Sequence, residues 1–184
     1  SNIISYVDAV QLKNEHMVKL PVIVYNRDSQ SEVLIDAIDL RNKLEEIASA
    51  EYAKTGKYIR PIALFQAQPK GKEDATTFEK LRDKLVDAGI PADQIAIRTA
   101  DVNELKNVEL MSPNCPIRYI ITVNALKEGW DCPFAYILAS LANKTSQVDV
   151  EQILGRILRL PHTSQHTQSA LNMSYVLTSS NDFN

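Results

Sequence analysis

Residues 59–97 read IRPIALFQAQPKGKEDATTFEKLRDKLVDAGIPADQIAI, and this stretch decides the fold. Ile59 to Ala67 is an almost continuous apolar run with its proline near the start, the pattern of a strand buried on both faces. A polar stretch follows, then a helical pattern from about Thr76 to Ala88 that Gly89 and Pro91 close. Ile95 to Ile97 then opens another short apolar run. Strand, helix and strand in succession call for a crossover connection, and crossovers build parallel sheets.

The same order extends both ways along the chain. Upstream, Leu20 to Tyr25 (LPVIVY) is a β-rich run leading into Val33 to Tyr52. There Leu34, Ala37, Ile38, Leu44, Ile47 and Ala48 recur at mostly helical spacing until Gly56. Downstream, Ile117 to Val123, Phe134 to Leu141 and Met173 to Leu177 are further short runs, with one more helix between the last two. Ala100 to Pro116 reads as a short helix and a loop feeding a strand. The expectation is an α/β fold, a mostly parallel sheet with helices on both faces, forming one domain over residues 1–184.

Composition narrows the function. With 20 Lys and Arg against 23 Asp and Glu the net charge is -3, so the chain lacks the global positive field of a protein that grips nucleic acid by charge alone. Any such grip must be local. No apolar run approaches the roughly 20 residues that cross a bilayer, and the N-terminus carries no signal-peptide pattern, so no membrane partner is expected. Cys115 and Cys132 are too few for a disulfide framework and lack the paired spacing of a zinc site, which suits a cytoplasmic protein. Ser1 in place of an initiator Met hints at a piece of something longer.

In α/β sheets chemistry gathers at the carboxyl ends of strands, and two segments stand out there. ITVNALKEGWDCP, from Ile121 to Pro133, presents Asn124, Lys127, Gly129 and Asp131 directly after a buried run. Gly129 suits a positive φ or a close ligand approach, and Asp131 can accept hydrogen bonds from an Arg, a ribose or local amides. A capped turn in which Asp131 holds the loop and Trp130 packs would leave the same pattern. The second segment, SQVDVEQILGRILRLP, predicts a helix over 148–160 that opens at Ser146 and Asp149 and stops at Pro161. Val150, Ile153, Leu154, Ile157 and Leu158 form its apolar stripe, while Gln152, Gly155, Arg156 and Arg159 share a second face. Two guanidiniums on one face fit a polyanion such as a nucleoside triphosphate; they also fit a solvated face with surface ion pairs. His162 and His166 read as solvated loop residues rather than metal ligands, and Lys70-Gly71-Lys72 as an exposed turn.

Taken together, these segments point to a family. Gln152 to Arg159 (QILGRILR) resembles the Q-x-x-G-R-x-x-R motif VI of superfamily 2 helicases, and Ala125 to Asp131 (ALKEGWD) looks like their motif V. Ile62 to Gln66 (IALFQ) is similar to motif IV, which opens the second RecA-like lobe. Within the superfamily, EGWDCPFA followed by VEQILGRILRLP looks most like the Res subunit of type III restriction enzymes, ATP-dependent DNA translocases.

The resemblance implies a RecA-like second motor lobe. Arg156 and Arg159 would be arginine fingers reaching ATP, with Gln152 a polar partner beside them. Gly129, Asp131 and Gly155 would face the nucleotide. Asn124, Thr99 and Phe65 would mark the approach to the DNA backbone. No G-x-x-x-x-G-K-[ST] and no strand-end Asp-Glu pair is found in the sequence. ATP with Mg is therefore expected to be held mainly by a first RecA-like lobe of the same polypeptide, outside these 184 residues. The implied partners are DNA, that first lobe and a Mod-type methyltransferase subunit. The alternative is a non-catalytic RecA-like module that docks protein or nucleic acid.

Overall fold

The computed structural model describes residues 8–14, 17–71, 76–141, 147–159 and 166–179; the side chains of 8–21, 128, 147–148 and 159 lie outside the described part. In chain order its strands are β1 (Asp8–Asn14), β2 (Met17–Asn26), β3 (Ile62–Gln66), β4 (Ile95–Ile97), β5 (Tyr119–Thr122), β6 (Cys132–Pro133), β7 (Ala135–Ser140), β8 (Leu158–Arg159) and β9 (Ser174–Thr178). The α-helices are α1 (Gln30–Thr55), α2 (Phe78–Asp87), α3 (Ala125–Glu128) and α4 (Gln147–Arg156).

Seven strands form one sheet in the order β1-β2-β9-β7-β3-β5-β4. All pairs are parallel except β1 with β2, an antiparallel edge hairpin. With the right-handed crossovers that govern parallel units, the steps from β2 to β3 and β3 to β4 place α1 and α2 on one face. The return steps to β7 and β9 place α3 and α4 on the other. This is the α/β arrangement that the alternation of runs and helices predicts, and it is consistent with the RecA-like lobe that the resemblance implies. Ile62 to Phe65 and Ala135 to Ala139 are fully buried, as strands covered on both faces must be. Among the described residues no helix is long and apolar enough to cross a membrane.

Local chemistry sets the element ends. α1 starts three residues before the apolar pattern does, because Ser29 caps it: its Oγ accepts the Glu32 N–H at 3.2 Å. It ends where Gly56 turns left-handed at φ 73° and its N–H bonds the Tyr52 carbonyl. Thr77 caps α2 in the same manner. Arg60, almost fully buried, donates to the carbonyls of Leu110, Ser112 and Ile117 and sits over the rings of Tyr58 and Phe134. These bonds replace the short helix expected within 100–116: the segment is a chain of turns, anchored to the sheet by one guanidinium. Glu45 ties α1 to the start of β5, accepting both arms of Arg118 at 2.8 and 3.0 Å and an N–H of Arg41 at 2.7 Å.

Candidate functional site

Every central strand ends on a polar residue, and register aligns those ends. Asn26 lies beside Thr178, Thr178 beside Ser140, Ser140 beside Gln66, and Gln66 beside Thr122. Neighbours in register share a face, so five polar side chains cross the carboxyl edge of the sheet as one row. Thr122, Ser140 and Thr178 are buried, while Asn26 and Gln66 are half-buried. Above the row a small network closes over: Gln30 donates to the Leu141 carbonyl, Thr76 Oγ1 donates to Gln30 Oε1, and Gln68 Oε1 accepts from the Thr76 N–H. Beside it Arg27 and Asp36 form a buried ion pair at 2.5 Å. No motif marks this row; it consists of the last residue of each strand, in VIVYN, IALFQ, YIIT, AYILAS and SYVLT.

The second part of the site lies where the chain leaves and rejoins the sheet. Beyond the row, Asn124 is exposed and heads α3, a single turn that Gly129 ends at φ 57° and ψ 51°, the left-handed conformation expected of it. Asp131 is exposed and Trp130 half-buried. Phe134 then adopts φ 70°, a strained value for a bulky residue, and turns the chain sharply between β6 and β7. Its burial against Arg60 and Tyr58 holds the strain in place. That turn frees Cys132 and Pro133 from the main sheet to pair in parallel with Leu158 and Arg159. Cys132 N–H donates to the Ile157 carbonyl at 2.8 Å. The two segments singled out by sequence are thus joined backbone to backbone.

This pairing corrects the helix boundary. α4 stops at Arg156, and Leu158 and Arg159 are strand rather than a further helical turn. Gln152 and Arg156 share a helix face and are both exposed, with Gly155 half-buried between them. Arg159 does not continue that face: the helix has ended at Arg156, Arg159 lies in β8 beside Pro133, and its side chain lies outside the described part, as does the expected cap Ser146. The apolar stripe is as predicted, with Val150, Ile153, Leu154, Ile157 and Leu158 all buried. No carboxylate among the described residues pairs with Arg156.

Two other candidates change character. Phe65 is fully buried and stacks on Tyr119 with ring centroids 6.2 Å apart, so its ring meets no ligand; Gln66 beside it offers the polar group at that strand end. Thr99 is buried too, and its hydroxyl accepts the Val102 N–H at 3.1 Å, which makes it the pin of the turn after β4. His166 is not a solvated loop residue: it is buried with Nδ1 3.1 Å from Glu51. His162 and Lys72 lie outside the described residues, while Lys70 is exposed and pairs with Glu79. Burial pushes the Cys132 thiol far above its ordinary range, with the nearby Asp131 charge adding to the shift, so Cys132 serves packing.

Compared with known proteins, the chain matches no family model and no curated protein. The site therefore rests on its own geometry. That geometry sets one exposed guanidinium, a left-handed glycine and an exposed carboxylate around a single short ladder. No group of three metal-ligating side chains occurs among the described residues.

Proposed function

We propose that this chain is the second motor lobe of an ATP-dependent DNA helicase or translocase, of the kind found in the Res subunit of type III restriction enzymes. The observation that carries this reading is the ladder between residues 132–133 and 158–159. It brings the motif V-like and motif VI-like segments together, as two segments serving one nucleotide must be. Arg156, exposed at the end of α4, is the finger that meets the charge developing on a phosphoryl group. Gln152 lies one turn before it. The left-handed Gly129 and the exposed Asp131 present backbone and carboxylate to the nucleotide sugar. Asn124, exposed just beyond the buried polar row, approaches the DNA strand backbone, and a contact made through hydrogen bonds in this way needs no net positive charge.

ATP and its magnesium ion would be held by a first lobe, and the fragment alone turns over no ATP. Mixing this chain with the segment that precedes it in the full polypeptide and measuring DNA-stimulated ATP hydrolysis tests the reading. Turnover that appears only in the mixture supports it. Silence in the mixture, with both parts folded, favours a docking module instead.

A further inference from the structure

We propose that the cleft between the two returning connections of the sheet is a nucleobase pocket. The turns of 98–118 carry the chain from β4 back to β5, and residues 123–134 carry it from β5 back to β7. Between them lies a cleft of about 320 Å³ walled by Arg98, Asn103, Val108, Leu110, Trp130 and Asp131 among others. Its volume falls at the lower end of small-ligand sites, which suits one heterocycle with part of a sugar.

The wall chemistry selects the ligand. Trp130, Leu110 and Val108 offer apolar and aromatic surface to the faces of a flat ring. Asn103 and Asp131 offer a mixed donor and acceptor edge. Trp130 Nε1 is buried and meets no acceptor among the described residues, so a ring nitrogen or carbonyl can satisfy it once the indole turns toward the cleft. Arg98 donates to the Thr99 carbonyl but pairs with no carboxylate among the described residues, which leaves its charge for a phosphate at the rim. Flat apolar faces, a hydrogen-bonding edge and an adjacent anion describe a nucleobase on its phosphate. A fatty acid lacks the hydrogen-bonding edge. The base reaches the cleft either as a free nucleotide or swung out of a strand passing the turn at Thr99. Most of the wall lies outside the motif-like segments, and the proposal does not depend on Arg156.

Trp130 is the sole tryptophan of the chain, so its fluorescence reports on the cleft without labelling. The chain is titrated separately with adenosine monophosphate, thymidine monophosphate, a short single-stranded oligonucleotide and the same oligonucleotide with abasic sites. Val108 is 37% exposed, so Val108→Phe narrows the cleft without disturbing the core. As a second variant, Asn103→Asp keeps the oxygen that accepts the Leu105 N–H and removes the amide donor.

A saturable change with either mononucleotide, weakened about tenfold or more by Val108→Phe, supports the pocket with a free nucleotide as its source. A change with the oligonucleotide that its abasic twin fails to give, also weakened by Val108→Phe, supports the pocket with the strand as its source. In either case Asn103→Asp weakens the response, whereas Arg156→Ala leaves it intact, so failure here and failure of the motor reading are distinct. No change with any probe, or a change that both cleft variants leave untouched, overturns the proposal.

Discussion

The backbone N–H of Cys132 donates to the carbonyl of Ile157 across 2.8 Å, and this bond stitches together two stretches that lie 25 residues apart in the chain. Because Arg156 precedes Ile157 and Asp131 precedes Cys132, the guanidinium and the carboxylate flank one ladder. Their spacing is then set by paired backbone rather than by loose loops. A site built on paired backbone is held more precisely than one carried on free side-chain tethers.

Gly129 sets the approach to that ladder. A Cβ at this position meets nothing within 4 Å, so Gly129→Ala acts only through its φ of 57°. The left-handed conformation costs an alanine about 1–2 kcal/mol. Urea unfolding of Gly129→Ala is expected to show a loss of that order, with Gly129→Asn recovering part of it. An unchanged midpoint would mean that this turn does not hold its left-handed form.

Arg60 anchors the 110–117 turns through three carbonyls. Arg60→Met keeps much of the side-chain volume but leaves those acceptors unmet inside the protein. The expected destabilisation is about 3 kcal/mol or more, measured by chemical denaturation. A loss under about 1 kcal/mol would show that water or rearranged turns satisfy the carbonyls instead.

Glu45 gives the fold a pH dependence. Burial raises its carboxyl pKa, but the hydrogen bonds and charges of Arg118 and Arg41 outweigh burial and hold it at about 2, against an ordinary 4.5. A carboxyl that titrates lower when folded adds stability above its unfolded pKa and loses it as the pH falls from 4.5 toward 2. The carboxylate is partly solvated, so after screening the contribution is on the order of 1–2 kcal/mol. Glu45→Gln is expected to cost about that much near pH 6, with the gap from the parent closing as the pH falls through about 3. A gap that stays constant with pH would contradict the assignment.

The sheet was legible because its strands are unbroken apolar runs: Ile95 to Ile97 matches β4 residue for residue, and the run at 134–141 holds β7 within one residue at each end. Apolar periodicity alone places the start of α1 at Val33, three residues late, because Ser29 and Glu32 signal a cap by polar chemistry rather than by periodicity. The 100–116 segment read as partly helical because its structure depends on Arg60, some 50 residues upstream, which no local pattern reveals.

The same limit explains Arg159. A spacing of seven from Gln152 is helical on paper, but the pairing of Leu158 with Cys132 takes over the backbone after Arg156. The motifs that point to Phe65 and Thr99 specify strand ends loosely, and the two side chains are core and turn pin. The polar row was present in the sequence all along, yet only the register shows that five separate strand ends form one line.

The motor account stands on Arg156, and ATP turnover by the complete enzyme measures its role most directly. Arg156→Ala is expected to lower DNA-stimulated ATP hydrolysis about a thousandfold or more while leaving ATP binding nearly unchanged, because a finger acts on the transition state rather than on the bound nucleotide. ATP hydrolysis by Arg156→Ala at the rate of the unaltered enzyme would contradict the account.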